Sequence, residues 1–161
     1  MTRTLAVLLT CIPLVTWAQS KKDDIPVEEL PPEVKAVLED YVKLLRSAPS
    51  LDEAAKGFVA LAGGSLVNED GKSLRGTVQG FGLKKDYENV KFYADPMNLT
   101  RVNVGKSNGD GFGPSAIKGK KYKIWLAKKE GANGVPAPIT ILVPEGHATI
   151  TTPKVVNIGS L

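Results

Sequence analysis

The side chains that most often perform catalysis or bind metal ions are scarce in this sequence. Its 161 residues include one cysteine, Cys11, and one histidine, His147. A zinc site needs at least three good ligands, which a single imidazole does not supply. Short polar clusters at residues 68–70 and 107–110 lack the spacing of a known calcium loop. We therefore expect no metal and no cofactor.

Acid–base chemistry has three candidate side chains, Asp86, Tyr87 and His147. A carboxylate in a pocket can abstract a proton, and an adjacent tyrosine can stabilise the negative charge that develops. The alternatives are ordinary surface positions: a solvated helix or turn for Asp86 and Tyr87, and a solvated turn for His147. These residues define one alternative function, a pocket enzyme that performs proton transfer or hydrolysis.

Two glycine-containing motifs resemble catalytic or phosphate-binding loops. Residues 105–109, GKSNG, match G-x-S-x-G, but a nucleophile elbow needs a helix after the serine, and residues 110–114 are unsuited to start one. The Gly-Lys-Ser triplets at residues 71–73 and 105–107 lack the earlier glycine of a phosphate-binding loop. We interpret residues 105–119 as a glycine-rich loop, either a mobile flap or a long connection.

A lysine-rich segment surrounds the tryptophan of the second half of the chain. Residues 118–129, KGKKYKIWLAKK, contain six lysines among twelve residues. The period of a strand divides the side chains between two faces: Tyr122, Ile124 and Leu126 on one, and Lys121, Lys123 and Trp125 on the other. A tryptophan among lysines can stack a sugar, a base or an acidic side chain. The alternative is that loop 105–119 covers Trp125 while the lysines reach into water.

Aromatic and cationic side chains on the strand segments are the candidate contact residues. The predicted binding residues are Tyr93, Arg101, Tyr122 and Trp125, with Phe112 on the flap. We expect no catalytic residues and no metal ligands beside them.

The beginning of the chain has the pattern of an export signal. Arg3 is followed by an apolar run at residues 5–15 and by a cleavage site ending at Ala18. The run is shorter than the roughly 20 residues that span a bilayer, so we predict no transmembrane segment. The predicted organisation is a signal peptide at 1–18, a flexible lead-in at 19–31 and one domain at 32–161. Cleavage would leave a cysteine-free mature chain, secreted or periplasmic.

The charge of the chain bears on its partners. The net charge is +4, and lysine greatly outnumbers arginine among the 21 basic residues. Lysine lacks the planar fork that recognises phosphates and bases specifically, so nucleic acid is not expected as a partner. The expected partners are a small ligand or a protein, and a second copy of the chain is compatible with the sequence.

Hydrophobic periodicity places helices before strands. Apolar residues recur at helical spacing from Val34 to Ala48, and Pro49 ends this pattern. Ser50 and Glu53 form a capping-box pattern that begins a second helix, which ends at residues 63–64. Residues 68–72 predict a hairpin or tight loop, and residues 83–89 are compatible with a short helix. The segments that alternate like strands are 90–94, 99–104, 121–128, 139–143, 148–151 and 155–158.

This order of elements predicts an α+β fold with two N-terminal helices packed on a curved antiparallel sheet of about 4–6 strands. It resembles the cystatin-like or nuclear-transport-factor-like cone superfamily, over about residues 32–158. The resemblance implies a sheet curled around the first helix, with a pocket that is catalytic or only ligand-binding.

The leading hypothesis is a secreted or periplasmic, non-enzymatic binding protein. It would use the concave face of its sheet for a small ligand or a macromolecular partner. Besides the pocket enzyme described above, a structural module of a cell-envelope assembly is an alternative.

Overall fold

The computed structural model describes residues 23–161. The predicted signal peptide and the first part of the predicted lead-in lie outside the described residues. Within the described part of the chain, no helix combines the length and apolar content needed to cross a bilayer.

The two predicted N-terminal helices are confirmed. Helix α1, Pro32–Ser47, begins with proline at its first position, where the missing N–H costs nothing. Helix α2, Leu51–Leu61, begins after Ser50, whose Oγ accepts a hydrogen bond from the Glu53 N–H at 3.2 Å. Helix α1 places an apolar stripe against the sheet and buries Val34, Leu38, Tyr41, Val42 and Leu45, and α2 packs on α1 and buries Ala54, Ala55 and Phe58.

A third helix follows the glycine-containing segment that the sequence left ambiguous. Helix α3, Lys84–Asn89, continues from one wide turn of π-helix at Val78–Leu83. Before it, an isolated antiparallel bridge joins Val67 to Leu74 and closes the tight loop predicted at residues 68–72.

Five strands form one antiparallel sheet in the order of the sequence. They are β1 (Asp24–Ile25), β2 (Leu99–Asp110), β3 (Ile117–Leu126), β4 (Pro138–Pro144) and β5 (Lys154–Asn157). Strands β1 and β5 are the two edges and do not pair with each other, so the sheet is open. The α+β class is therefore confirmed. Strand β1 lies within the segment that the sequence analysis describes as a flexible lead-in.

Two predicted strands and the predicted flap are wrong. Residues 90–94 contain a 3₁₀ turn, Val90–Phe92, and only Tyr93 forms a bridge, to Lys128. Residues 148–151 lie in a turn between β4 and β5. Most of the expected loop 105–119 is regular: β2 extends to Asp110, and β3 begins at Ile117. The pairing of two long strands outweighs the low strand propensity of their glycines.

The helices cover one face of the sheet, and the main core lies between the helices and that face. From the strands it takes alternate side chains, Val102, Tyr122, Ile124, Ile139 and Ile141, each 3% exposed or less. The alternation predicted for β3 is confirmed, since Lys123 and Trp125 lie on the other face.

The tip of the β2–β3 hairpin bends over the sheet face that the helices leave uncovered. The register shifts between Ser107 and Asp110, and such bulges bend a strand. The bend brings Asp110 Oδ1 within 2.9 Å of the Ser65 N–H. Near this end of the sheet, a small second core of Ile117, Leu142 and Val156 is buried.

Gly111, in the turn of this hairpin, has a backbone conformation that only glycine readily adopts. Its φ is +96°, and a Cβ atom there would lie 2.6 Å from the carbonyl carbon of Gly64. We expect Gly111→Ala to lower the free energy of unfolding by about 2–3 kcal/mol, because neither backbone can yield without moving the hairpin. Urea unfolding measures the change.

The matched control is Gly109→Ala in the same hairpin. A Cβ at Gly109 would meet nothing within 4 Å. This variant should unfold within about 0.5 kcal/mol of the wild type. Equal stability of the two variants would contradict the assigned contact between residues 111 and 64.

Candidate ligand-binding cleft

One polar side chain from each strand lies in a single row across the uncovered face of the sheet. The register pairs Asp24 with Asn103, Asn103 with Lys123, Lys123 with Thr140, and Thr140 with Asn157. We call these residues the polar row. An exposed face of an antiparallel sheet normally carries polar residues, but here the last four members also line a cleft of about 300 Å³. We call it the sheet-face cleft.

The bent hairpin supplies one wall of the sheet-face cleft. Asp110 and Ser65 both line it, and the hydrogen bond between them holds the hairpin in place. The Asp110 carboxylate also forms an ion pair with Lys121 Nζ at 3.1 Å, which neutralises the charge of Lys121. Lys123 differs, because no carboxylate of residues 23–161 forms an ion pair with it. The cleft therefore contains one lysine charge that is not neutralised by an ion pair.

Arg101 and Trp125 lie beside the polar row. The Arg101 guanidinium carbon is 4.5 Å from the centre of the Trp125 ring, and Lys123 Nζ is 5.3 Å from it. Arg101 Nε and Nη2 also donate to the Asp24 carboxylate at 3.0–3.1 Å. This planar pairing ties the edge strand β1 to β2 and fixes the guanidinium over the indole. The predicted contact residues Arg101 and Trp125 are thus neighbours on the uncovered face.

The other three predicted contact residues lie elsewhere. Tyr93 and Tyr122 belong to the helix-covered core and are 2% and 3% exposed. Burial, followed by the charge of Asp86, raises the pKa of Tyr93. Phe112 lies exposed at the hairpin tip, with the Arg75 guanidinium 5.0 Å from its ring centre. None of these three residues lines the sheet-face cleft, and Arg101 and Trp125 do not line it either.

The side chain of Asp86, the predicted pocket carboxylate, is completely buried and hydrogen-bonded. It accepts hydrogen bonds from Tyr41 Oη at 2.9 Å, from the Gly159 N–H at 3.0 Å and from the Leu161 N–H at 2.9 Å. Burial and the charge of Asp86 raise the pKa of Tyr41 well above its usual range, so the phenol remains a donor. These contacts connect α1 and α3 to residues 159–161. The surface position considered for Asp86 is wrong, because 0% of the residue is exposed.

Tyr87 and His147 also make specific contacts with the backbone. The Tyr87 hydroxyl donates to the Ala48 carbonyl at 3.1 Å, at the end of α1. His147 Nδ1 accepts from the N–H groups of Thr149 and Ile150, so its proton lies on Nε2, 3.1 Å from the Pro114 carbonyl. None of the three acid–base candidates lines the sheet-face cleft.

Sequence reasoning selected none of the residues that line the cleft as contact residues, and it missed Asn103, Thr140 and Asn157 in particular. Each occupies a polar position in an alternating strand, which by itself indicates only a solvated face. The signal that identifies them is the register, because it places them beside Lys123 in one row.

No group of three or more histidine, cysteine, aspartate or glutamate residues with metal-binding geometry occurs within residues 23–161. Comparison of the chain with protein-family models, curated proteins and solved structures finds no match. The resemblance to the cone superfamily therefore stays a prediction.

The hydrogen bonds of Asp86 lead to a stability prediction. An asparagine at this position offers one acceptor in place of a carboxylate, and its amide nitrogen would face an N–H or O–H donor. We expect Asp86→Asn to lower the free energy of unfolding by about 2–3 kcal/mol, and Tyr41→Phe to lower it by about 1 kcal/mol. Urea unfolding at neutral pH measures both values. An Asp86→Asn protein as stable as the wild type would refute this role.

Asp86 also gives the stability a defined dependence on pH. Burial raises its pKa, although the N–H groups of Gly159 and Leu161 and the Tyr41 hydroxyl act in the opposite direction. A carboxyl with a raised pKa in the folded state retains its proton to higher pH than in the unfolded chain. Its contribution to stability is therefore greatest below the ordinary aspartate pKa and falls as the pH rises through the raised value.

The measurement is the difference in free energy of unfolding between the wild type and Asp86→Asn. The stability advantage of the wild type over the variant should shrink as the pH rises from the ordinary aspartate pKa through the raised pKa of Asp86. The variant removes the contribution of Asp86 and leaves those of the other carboxylates. A difference that grows with pH would show that the hydrogen bonds outweigh burial.

Proposed function

We propose that this protein is a secreted or periplasmic binding protein that holds a small anion bearing hydroxyl groups in the sheet-face cleft. The observation that carries this proposal is the position of Lys123, a cation without a carboxylate partner in the described chain, between the neutral polar side chains of Asn103 and Thr140. The export pattern of residues 1–18 supports the location outside the cytosol.

The chemistry of the cleft favours an anion with several hydroxyl groups. The ammonium of Lys123 can donate charge-assisted hydrogen bonds to a carboxylate. Thr140 and Asn157 each offer both donors and acceptors to hydroxyl groups. Asn103 uses its amide nitrogen on Asp24 at 3.0 Å, which leaves its side-chain oxygen as an acceptor. A sugar acid combines these features.

The size of the cleft favours a small molecule over a macromolecule. A volume of about 300 Å³ is at the lower end of ligand-binding pockets. One wall of the cleft is held in place, since Asp110 is fixed by Ser65 and Lys121. A wall held in this way loses little conformational entropy when a ligand binds.

The test is a titration with glucuronate followed by amide chemical shifts. We expect the largest changes at Lys123, Thr140 and Asn157. Lys123→Met should weaken binding about tenfold, because a hydrogen bond to a charged group contributes about 1.5 kcal/mol or more. Glucose, which lacks the carboxylate, should lose a similar factor with the wild-type protein.

The matched control is Lys118→Met on the same strand. Lys118 is exposed and does not line the cleft, so its loss removes the same formal charge at another place. Glucuronate affinity should change less than twofold, as expected for an exposed charge outside the site. Equal losses in the two variants, or shift changes confined to other surfaces, would refute the proposal.

A further inference from the structure

A second and larger cavity, of about 780 Å³, lies between α3, the β3–β4 connection and residues 160–161. It shares no lining residue with the sheet-face cleft. We call it the Phe92 cavity, after the aromatic residue in its wall.

The walls of the Phe92 cavity are held by hydrogen bonds. Leu161, in its lining, is 3% exposed; its N–H donates to Asp86 at 2.9 Å, and its carbonyl accepts from Asn89 Nδ2 at 3.0 Å. On the other side, the Lys129 N–H donates to the Phe92 carbonyl at 2.9 Å. The cavity is therefore formed before any ligand enters, which lowers the entropic cost of binding.

The cavity contains an apolar surface that the fold leaves open. Phe92 is 45% exposed although most large apolar residues of the described chain are buried. Ala132 and Leu161 line the same cavity. Covering apolar surface of this kind contributes about 25 cal/mol per Å², so the cavity favours a ligand with an apolar part.

The charged side chains that line the cavity are mainly positive. Three lysines, Lys85, Lys128 and Lys129, and one glutamate, Glu130, line it. Lys85 Nζ donates to the Gly159 carbonyl at 3.0 Å and Lys128 Nζ to the Asn133 carbonyl at 2.8 Å. Both acceptors are neutral, and no ion pair within residues 23–161 involves these three lysines. Their ammonium groups can thus still bind an anion, although the charge of Lys85 also acts on Asp86 and lowers the pKa of that carboxyl.

We propose that the Phe92 cavity is a second binding site, which takes an amphipathic anion: a carboxylate or phosphate head with a short apolar chain. The lysines bind the head, and Phe92 and Ala132 contact the chain. The occupant is a single amphiphile in solution, because the apolar surface lies within a cavity that the lysines line. This inference does not depend on the ligand of the sheet-face cleft.

Calorimetric titration with decanoate, below its micelle concentration, tests the proposal. We expect one molecule to bind, and decanol, which lacks the charge, to bind at least fivefold more weakly. Lys129→Gln should weaken decanoate binding about two- to fivefold, consistent with one partly exposed ion pair. Since no hydrogen bond of the described fold uses the Lys129 ammonium, the variant should fold as the wild type does. Phe92→Ser should weaken binding about tenfold through lost apolar contact.

Two matched controls distinguish binding in the cavity from nonspecific binding to other surfaces. Phe81→Ser removes another exposed phenylalanine, 75% exposed and outside the cavity, and should leave decanoate affinity within twofold. Lys123→Met should do the same, since Lys123 belongs to the sheet-face cleft. Equal effects of Phe81→Ser and Phe92→Ser, equal binding of decanol and decanoate, or binding to phosphatidylglycerol vesicles without binding to free decanoate would overturn the proposal.

Discussion

The arrangement of this protein depends on one buried carboxylate. Asp86 lies in the interior, where an ionised group is costly unless its oxygens are hydrogen-bonded. Its three donors come from α1 and from the backbone of residues 159 and 161, which are distant in sequence. The carboxylate therefore holds the last residues of the chain against two helices. The same contacts fix Leu161 in the wall of the Phe92 cavity, so the core and that cavity share one anchor.

The second constraint is the alternation of the sheet. The helix-covered core uses Tyr122, Ile124 and Leu126 of β3, which leaves Lys121, Lys123 and Trp125 for the opposite face. That face becomes a cleft because the β2–β3 hairpin bends toward Ser65. Helices on one side and a bent hairpin on the other thus separate the interior that stabilises the protein from the polar surface where we propose binding. Tyr122 and Trp125 illustrate the separation, three residues apart on the same strand and on opposite faces.

Local signals in the sequence predicted the elements that depend on local contacts. The proline at the start of α1 and the Ser50 cap of α2 act on residues next to them in the chain, and the alternation of β3 is visible in consecutive side chains. Signals failed where distant contacts decide the structure. The glycines of residues 105–119 favour a loop, but cross-strand hydrogen bonds hold most of that segment in β2 and β3. Residues 90–94 alternate like a strand, yet they make only one bridge.

By itself, the sequence determined the α+β class, the first two helices and the two faces of β3, because helix caps and side-chain periodicity act over a few residues. Only the tertiary structure decided that Asp86 is buried, that Tyr93 belongs to the core, and that Asn103, Thr140 and Asn157 join Lys123 in one row. Burial and strand register arise from contacts between residues far apart in the chain, and the local pattern around each residue does not contain them.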